Sequence, residues 1–144
     1  MASLPIYWIL ARTFCQATEE ESRVAQALDA AVSAGDLARQ TVEGQHGNPV
    51  VILSRRVEGA ADLRTTWQRW SKSGLVAALR QDVESRVDDD AILHLRIDKQ
   101  KAFQGLLSPA GEADTIDVQV KLKAYPAKPE EIRRVARRLV SEAP

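Results

Sequence analysis

From Ile116 to Ala124 apolar and polar residues alternate without a break: Ile116, Val118, Val120, Leu122 and Ala124 against Asp117, Gln119, Lys121 and Lys123. Successive side chains of a strand point to opposite faces, so the segment predicts a strand with one buried and one wet face. A sheet of such strands needs a second layer on one side only. The segment from Ile92 to Asp98 repeats the pattern, with Leu93, Leu95 and Ile97 inward and His94, Arg96 and Asp98 outward. Helices that cover this sheet are therefore expected on a single face, leaving the other open.

The remaining elements fit that frame. Ile6 to Phe14 is apolar on both sides, with Ile6, Trp8, Leu10 and Phe14 on one face and Tyr7, Ile9, Ala11 and Thr13 on the other. This predicts a central strand. Val50 to Val57 supplies another. Thr18 followed by Glu21 has the capping-box pattern and predicts a helix that buries Val24, Leu28, Ala31 and Val32 and ends at Gly35. Asp36 to Pro49 reads as a polar connection, tightly specified where Gly44, Gly47, Asn48 and Pro49 cluster. Leu63, Trp67 and Trp70 mark a second helix over 62–70, interrupted by Ser71 to Gly74, and Leu75, Leu79 and Val83 begin another piece.

Gly105 to Asp114 reads as a loop. Pro129 opens a final helix with Ile132, Val135, Ala136, Leu139 and Val140 on its apolar stripe and Arg133, Arg134, Arg137 and Arg138 opposite. The order β-α-β-α-β-β-α predicts an α+β two-layer sandwich, one domain over residues 1–144, with helices on one face of a mainly antiparallel four-stranded sheet. Its core is expected to hold Trp8, Leu53, Leu95, Val118, Val120, Ile132, Val135 and Leu139.

Charge and composition narrow the function. Twenty basic residues balance twenty acidic ones, which counts against strong non-specific binding to nucleic acid. The balance is uneven, with ten Lys/Arg against seven Asp/Glu over residues 91–144, so an anionic partner is expected to meet the C-terminal third. No apolar run reaches the ~20 residues of a membrane-spanning helix, and no basic segment precedes a long apolar stretch near the N-terminus. Cys15 is the only cysteine, as suits a reducing compartment. A cytoplasmic protein without membrane contact is expected.

Few residues offer catalytic or metal chemistry. Cys15, His46 and His94 share no metal-binding spacing, and Asp88 to Asp90 reads either as a cation site or as a solvated turn. The segment from Gly44 to Asn48 lacks the lysine and spacing of a phosphate loop. No cofactor, small-molecule substrate or enzymatic activity is expected. The wet sheet face is richer, with Arg96, Lys121 and Lys123 projecting near His94 and Gln119. Such a face can hold phosphates by charge and bases by hydrogen bonding or stacking; it is also what any antiparallel sheet turns to water. The segment from Arg96 to Lys101 gathers a carboxylate, two lysines and an amide at a strand end, and Asp98 there can orient Lys99 or Arg12. His46 and Asn48 give the polar loop a similar density of donors and acceptors.

A resemblance enters at these segments. Arg12-Thr13-Phe14 with Ala17-Thr18-Glu19, Glu43-Gly44 with His46-Gly47-Asn48-Pro49, Arg96-Ile97-Asp98-Lys99-Gln100 and Ala124-Tyr125-Pro126 occur in order. Together they resemble the archaeal RNA-binding proteins described as predicted exosome subunits, whose fold is similar to the ribosomal protein that binds 5S rRNA. The resemblance runs from about residue 5 to 142 and implies a non-catalytic role near rRNA or the RNA-degradation machinery. RNA, as rRNA or another structured RNA, is then the expected partner, with exosome or ribosome components beside it. Chemistry at the matching positions nominates Arg12, His46, Asn48, Arg96, Lys99, Gln100, Lys121 and Lys123 for RNA contact. The alternative is an assembly factor that meets RNA only through protein partners.

Overall fold

In the computed structural model, which describes residues 4–44, 47–111 and 114–141, the alternating segments form one antiparallel sheet. Its strands are β1 (Ile6–Cys15), β2 (Leu37–Glu43), β3 (Pro49–Val57), β4 (Ile92–Asp98) and β5 (Thr115–Leu122). They lie in the order β2-β3-β1-β5-β4, so β1 is central as expected. Helices α1 (Glu21–Ala31), α2 (Ala60–Ser73), α3 (Leu75–Leu79), α4 (Lys99–Phe103) and α5 (Pro129–Ser141) complete the α+β domain. The core joins Val24, Leu28, Trp67, Trp70, Ile132 and Leu139 of the helices to one face of the sheet.

Register explains that face. Ile9 stands opposite Val57 and Val120, Ala11 opposite Val118, and Thr13 opposite Leu53 and Ile116. On β4, Leu93, Leu95 and Ile97 face Val120, Val118 and Ile116. All of these are buried. Thr13 is the polar member, and its hydroxyl donates to the Thr115 carbonyl at 3.1 Å, so the buried group is satisfied.

The structure corrects several expectations, the element order among them, since β2 and β3 follow α1 in succession and α4 stands between β4 and β5. The sheet has five strands, not four: Leu37–Glu43 forms β2, an edge strand exposed on nearly every residue. With neither face buried it carries no period-two signal. The β1 register slips between Ile6 and Trp8, which keeps Ile6 in the core and turns Trp8, Leu10, Arg12 and Phe14 to the open side. Trp8 is consequently only half-buried, as is Val135, while the other six expected core residues are buried. The capping box at Thr18 does not form. Helix α1 starts later than the box requires, at Glu21 with Glu20 in the N-cap position and no side-chain cap, and the Glu21 carboxylate accepts from Arg39 at 3.0 Å instead of reaching back. Finally, Asp98 caps the short helix α4 by accepting from the Lys101 N–H at 2.9 Å, where orientation of Lys99 or Arg12 was expected.

Two edges bound the sheet. The outer edge of β4 is covered by isolated bridges from Val87 and Pro109, reinforced by Ala110 N–H donating to the Arg96 carbonyl at 2.9 Å. The outer edge of β2 is unpaired among the described residues. Its Arg39 faces the helical layer and pairs with Glu21 at 3.0 Å, as Arg55 of β3 pairs with Asp29 at 2.5 Å. These contacts tie both strands to α1 and leave the opposite face uncovered.

Candidate nucleic-acid interface

The uncovered face is laid out by the same registers. Across β3, β1, β5 and β4 run Arg56, Leu10, Gln119 and His94. The next row holds Ser54, Arg12, Asp117 and Arg96, and Trp8, Lys121 and Ile92 line up at the other end. Basic groups are interleaved with rings. The Arg56 guanidinium lies 4.5 Å from the Trp8 ring centroid, and that of Arg12 lies 5.7 Å from Phe14. Cations over ring faces are held by the ring quadrupole, and guanidinium and ring together can meet a phosphate and a base.

Acidic neighbours temper this charge. Asp117 stands between Arg12 and Arg96 and lies 3.7 Å from the latter's Nε. Arg56 Nε donates to Glu58 at 2.6 Å. These pairs are solvent-exposed, and exposed pairs are weak enough to exchange partners. A depression of about 610 Å³ opens beside them, lined among others by Arg12, Arg86, Asp88, His94, Arg96 and Gln119. On its rim His94 Nε2 lies 2.7 Å from Asp88 Oδ2. Burial works against the Asp88 charge, but hydrogen bonds from His94 and from the Ile92 and Asp90 N–H groups outweigh it and hold the carboxyl below its ordinary range. Asp88 thus anchors the turn into β4. No group of three His, Cys, Asp or Glu suited to a metal ion occurs among the described residues.

The nominated residues do not form one cluster. Arg12, Arg96 and Lys121 share the open face, although Arg96 and Lys121 stand four residues apart in the β4–β5 register rather than side by side. Lys121 Nζ also donates to the Asp90 carbonyl. Lys123 lies just beyond β5, with Nζ 5.1 Å from the exposed Tyr7 ring. Asn48 is exposed beside the end of β1, where it shares a cleft with Phe14 and Gln16. His46 lies outside the described residues.

Lys99 and Gln100 belong elsewhere. Lys99 is only 4% exposed. Its ammonium donates to the Phe14 carbonyl at 2.9 Å and pairs with Glu19 at 3.0 Å and Asp114 at 2.9 Å. Gln100 Nε2 donates to the same Asp114 at 2.8 Å. Burial opposes the Lys99 charge, yet the bonds and charges of Asp114 and Glu19 win and raise its pKa. A lysine so enclosed fastens three connections rather than reaching a ligand. Cys15 lies beside it, buried, its thiol pushed up by burial and then by the charges of Glu19 and Glu21, hence a poor nucleophile. Sequence reading missed Trp8, Phe14 and Arg56 as surface groups; the signal available was the aromatic–basic alternation of Trp8, Leu10, Arg12 and Phe14.

An antiparallel sheet with one open face of rings and guanidinium groups carries the kinds of group with which sheet proteins stack bases and hold phosphates. The chain belongs to the RNA-binding family, whose model matches residues 8–122. It is 29% identical to the RNA-binding protein PAB1135 of Pyrococcus abyssi, with 88% of each chain covered. The solved structure of Mth689, a DUF54 protein from Methanothermobacter thermautotrophicus, is 31% identical with a TM-score of 0.82 and covers 94% of this chain and 98% of its own. Protein AF2318 from Archaeglobus fulgidus, also assigned to DUF54, is 28% identical with a TM-score of 0.83, covering 93% and 99%.

Proposed function

We propose that this chain is a non-catalytic RNA-binding protein that contacts RNA through its open sheet face, and that it serves in the cytoplasm beside rRNA or the RNA-degradation machinery. The observation that carries the reading is the pairing of Arg12 with Phe14 and Arg56 with Trp8 on a face that no α-helix of the described residues covers. The family match spans most of that face, from Trp8 to Leu122, and PAB1135 is described as an RNA-binding protein. The balanced net charge favours contact with few phosphates and a structured target. A second reading has its own support: the edge of β2, unpaired among the described residues, suits a protein partner that brings RNA indirectly.

Salt separates the two. Direct binding weakens with added salt by a slope of about 0.7 per phosphate contact on single strands and about 0.9 on duplex. Replacing Arg96 and Lys121 together by Ala should lower that slope by roughly two contacts. Stability should hardly change, since the Arg96–Asp117 pair and the hydrogen bond from Lys121 to the Asp90 carbonyl are both exposed. Replacing Arg133 and Arg137 on the far side of α5 is the matched comparison, and RNA binding should survive it. If the α5 variant loses RNA and the sheet variant keeps it, the open face is not the binding surface. Should purified protein bind no RNA at any salt concentration, the assembly-factor reading takes its place.

A further inference from the structure

The open face continues past the end of β1 into a second cleft of about 560 Å³. Phe14, Val42 and Val50 line it from the sheet. The turn after β1 contributes Gln16 and Thr18, and the β2–β3 connection contributes Asn48. The cleft keeps its shape because Gly44 folds tightly over Val50. A Cβ at Gly44 would lie 2.7 Å from Val50 Cγ2 and 2.8 Å from the Asn48 carbonyl, and the Gly44 N–H donates to that carbonyl at 2.8 Å. Gly47 holds a φ of +77°, a conformation that favours glycine.

The lining selects its occupant. Among the described residues that form the cleft none carries a charge, so a bare phosphate has nothing to neutralise it there. What the cleft offers is one aromatic ring, two valines, two carboxamides and a hydroxyl. That combination suits a flat, neutral, heteroaromatic group with donors and acceptors on its edge. A cation stands immediately outside, where the Arg12 guanidinium lies 5.7 Å from the Phe14 ring. Arg12 and Phe14 are one same-face step apart on β1, about 7 Å. A base stacked on Phe14 therefore leaves its own or the next phosphate within reach of Arg12.

We propose that this cleft receives one unpaired base of the bound RNA, stacked on Phe14, with its edge toward Asn48, Gln16 and Thr18 and a flanking phosphate at Arg12. The inference rests on the RNA-binding reading and adds that the recognised element is a loop, bulge or single strand, because a base inside a duplex enters only after the cost of unstacking and unpairing it.

The test uses the full chain with fluorescein-labelled short oligomers of uridine, adenosine and cytidine and with the adenosine–uridine duplex, read by anisotropy. At least one single strand should bind more tightly than the duplex. Phe14→Leu should weaken single-strand binding about five- to hundredfold, the range of one lost base–aromatic stack. The slope of affinity against salt should stay unchanged, since no phosphate contact is removed. Phe14→Tyr should restore binding, and Asn48→Ala, at an exposed position, should weaken it without altering the thermal midpoint. Equal affinity of wild type, Phe14→Leu and Asn48→Ala for single strands, or a preference for the duplex, overturns the base cleft while leaving RNA binding in place. Failure of the wild type to bind any of these RNAs overturns both.

Discussion

Trp70→Ala should destabilise the protein by about 3–5 kcal/mol, the usual range for truncating a buried Trp. Trp70 is fully buried, packed at 56° against Trp67 with ring centroids 5.6 Å apart. It also closes a helix end. Helix α1 finishes on Val32 in extended conformation, with no glycine cap to collect its last carbonyls. Trp70 Nε1 donates to the Ala31 carbonyl at 2.8 Å, and the neighbouring Arg69 donates to the Ala30 carbonyl at 2.6 Å and to Ser33 at 2.9 Å. Helix α2 thus caps α1 from outside, with a cation at the negative end of its dipole. Trp70→Phe keeps most of the volume but orphans the Ala31 carbonyl, and should cost about 1–3 kcal/mol. Urea denaturation gives both numbers from the shift in midpoint at constant slope. A cost below about 1 kcal/mol for Trp70→Ala would mean that α2 is not docked on α1. RNA affinity, measured well below the melting temperature, should be unaffected, because Trp70 lies in the helical layer.

Legibility in the sequence followed burial. Strands β4 and β5 and helix α5 each bury one face, so their periods were readable almost to the residue. Strand β2 buries neither face and left no pattern to read. Strand β1 is apolar on both sides, so its pattern could not say which side met the helices; the slip between Ile6 and Trp8 decided it, and that slip depends on pairing with β5. The candidate site was legible where its residues alternate along strands, as with Arg96 and Lys121. It was not legible where it needed registry between strands: Arg56 meets Trp8 only because β3 pairs with β1. Conspicuous polar motifs proved a poor guide to surface chemistry. In Arg96-Ile97-Asp98-Lys99-Gln100, Asp98 caps a helix, Lys99 is buried and Gln100 holds Asp114.

That motif gives the second large effect. Lys99→Met, which keeps the length of the side chain and removes its charge, should cost about 2–4 kcal/mol. The Lys99 ammonium joins the end of β1 at Phe14, the following turn at Glu19 and the start of β5 at Asp114. Losing one partner of a buried pair leaves the other charges uncompensated, a cost of about 3–5 kcal/mol where burial is complete. Glu19 and Asp114 keep some access to water, which lowers the figure. The pH dependence follows from the shifts. Hydrogen bonds from Gln100 and then Lys99 hold the Asp114 carboxyl below its ordinary range. Its contribution is therefore present above the unfolded value of about 3.9 and lost as pH falls through the lower folded value. Lys99 is shifted upward, so its contribution is complete below about pH 10.4 and lost as pH rises through the folded value. The stability difference between wild type and Lys99→Met should be flat across neutral pH and shrink at both extremes. RNA binding separates this role from the direct contact suggested by sequence. A fastening lysine can be replaced without changing the salt slope at temperatures where the variant is folded, whereas a phosphate-contacting lysine would take about one contact with it. A Lys99→Met protein as stable as wild type, with one phosphate contact missing from its slope, would return Lys99 to the RNA surface.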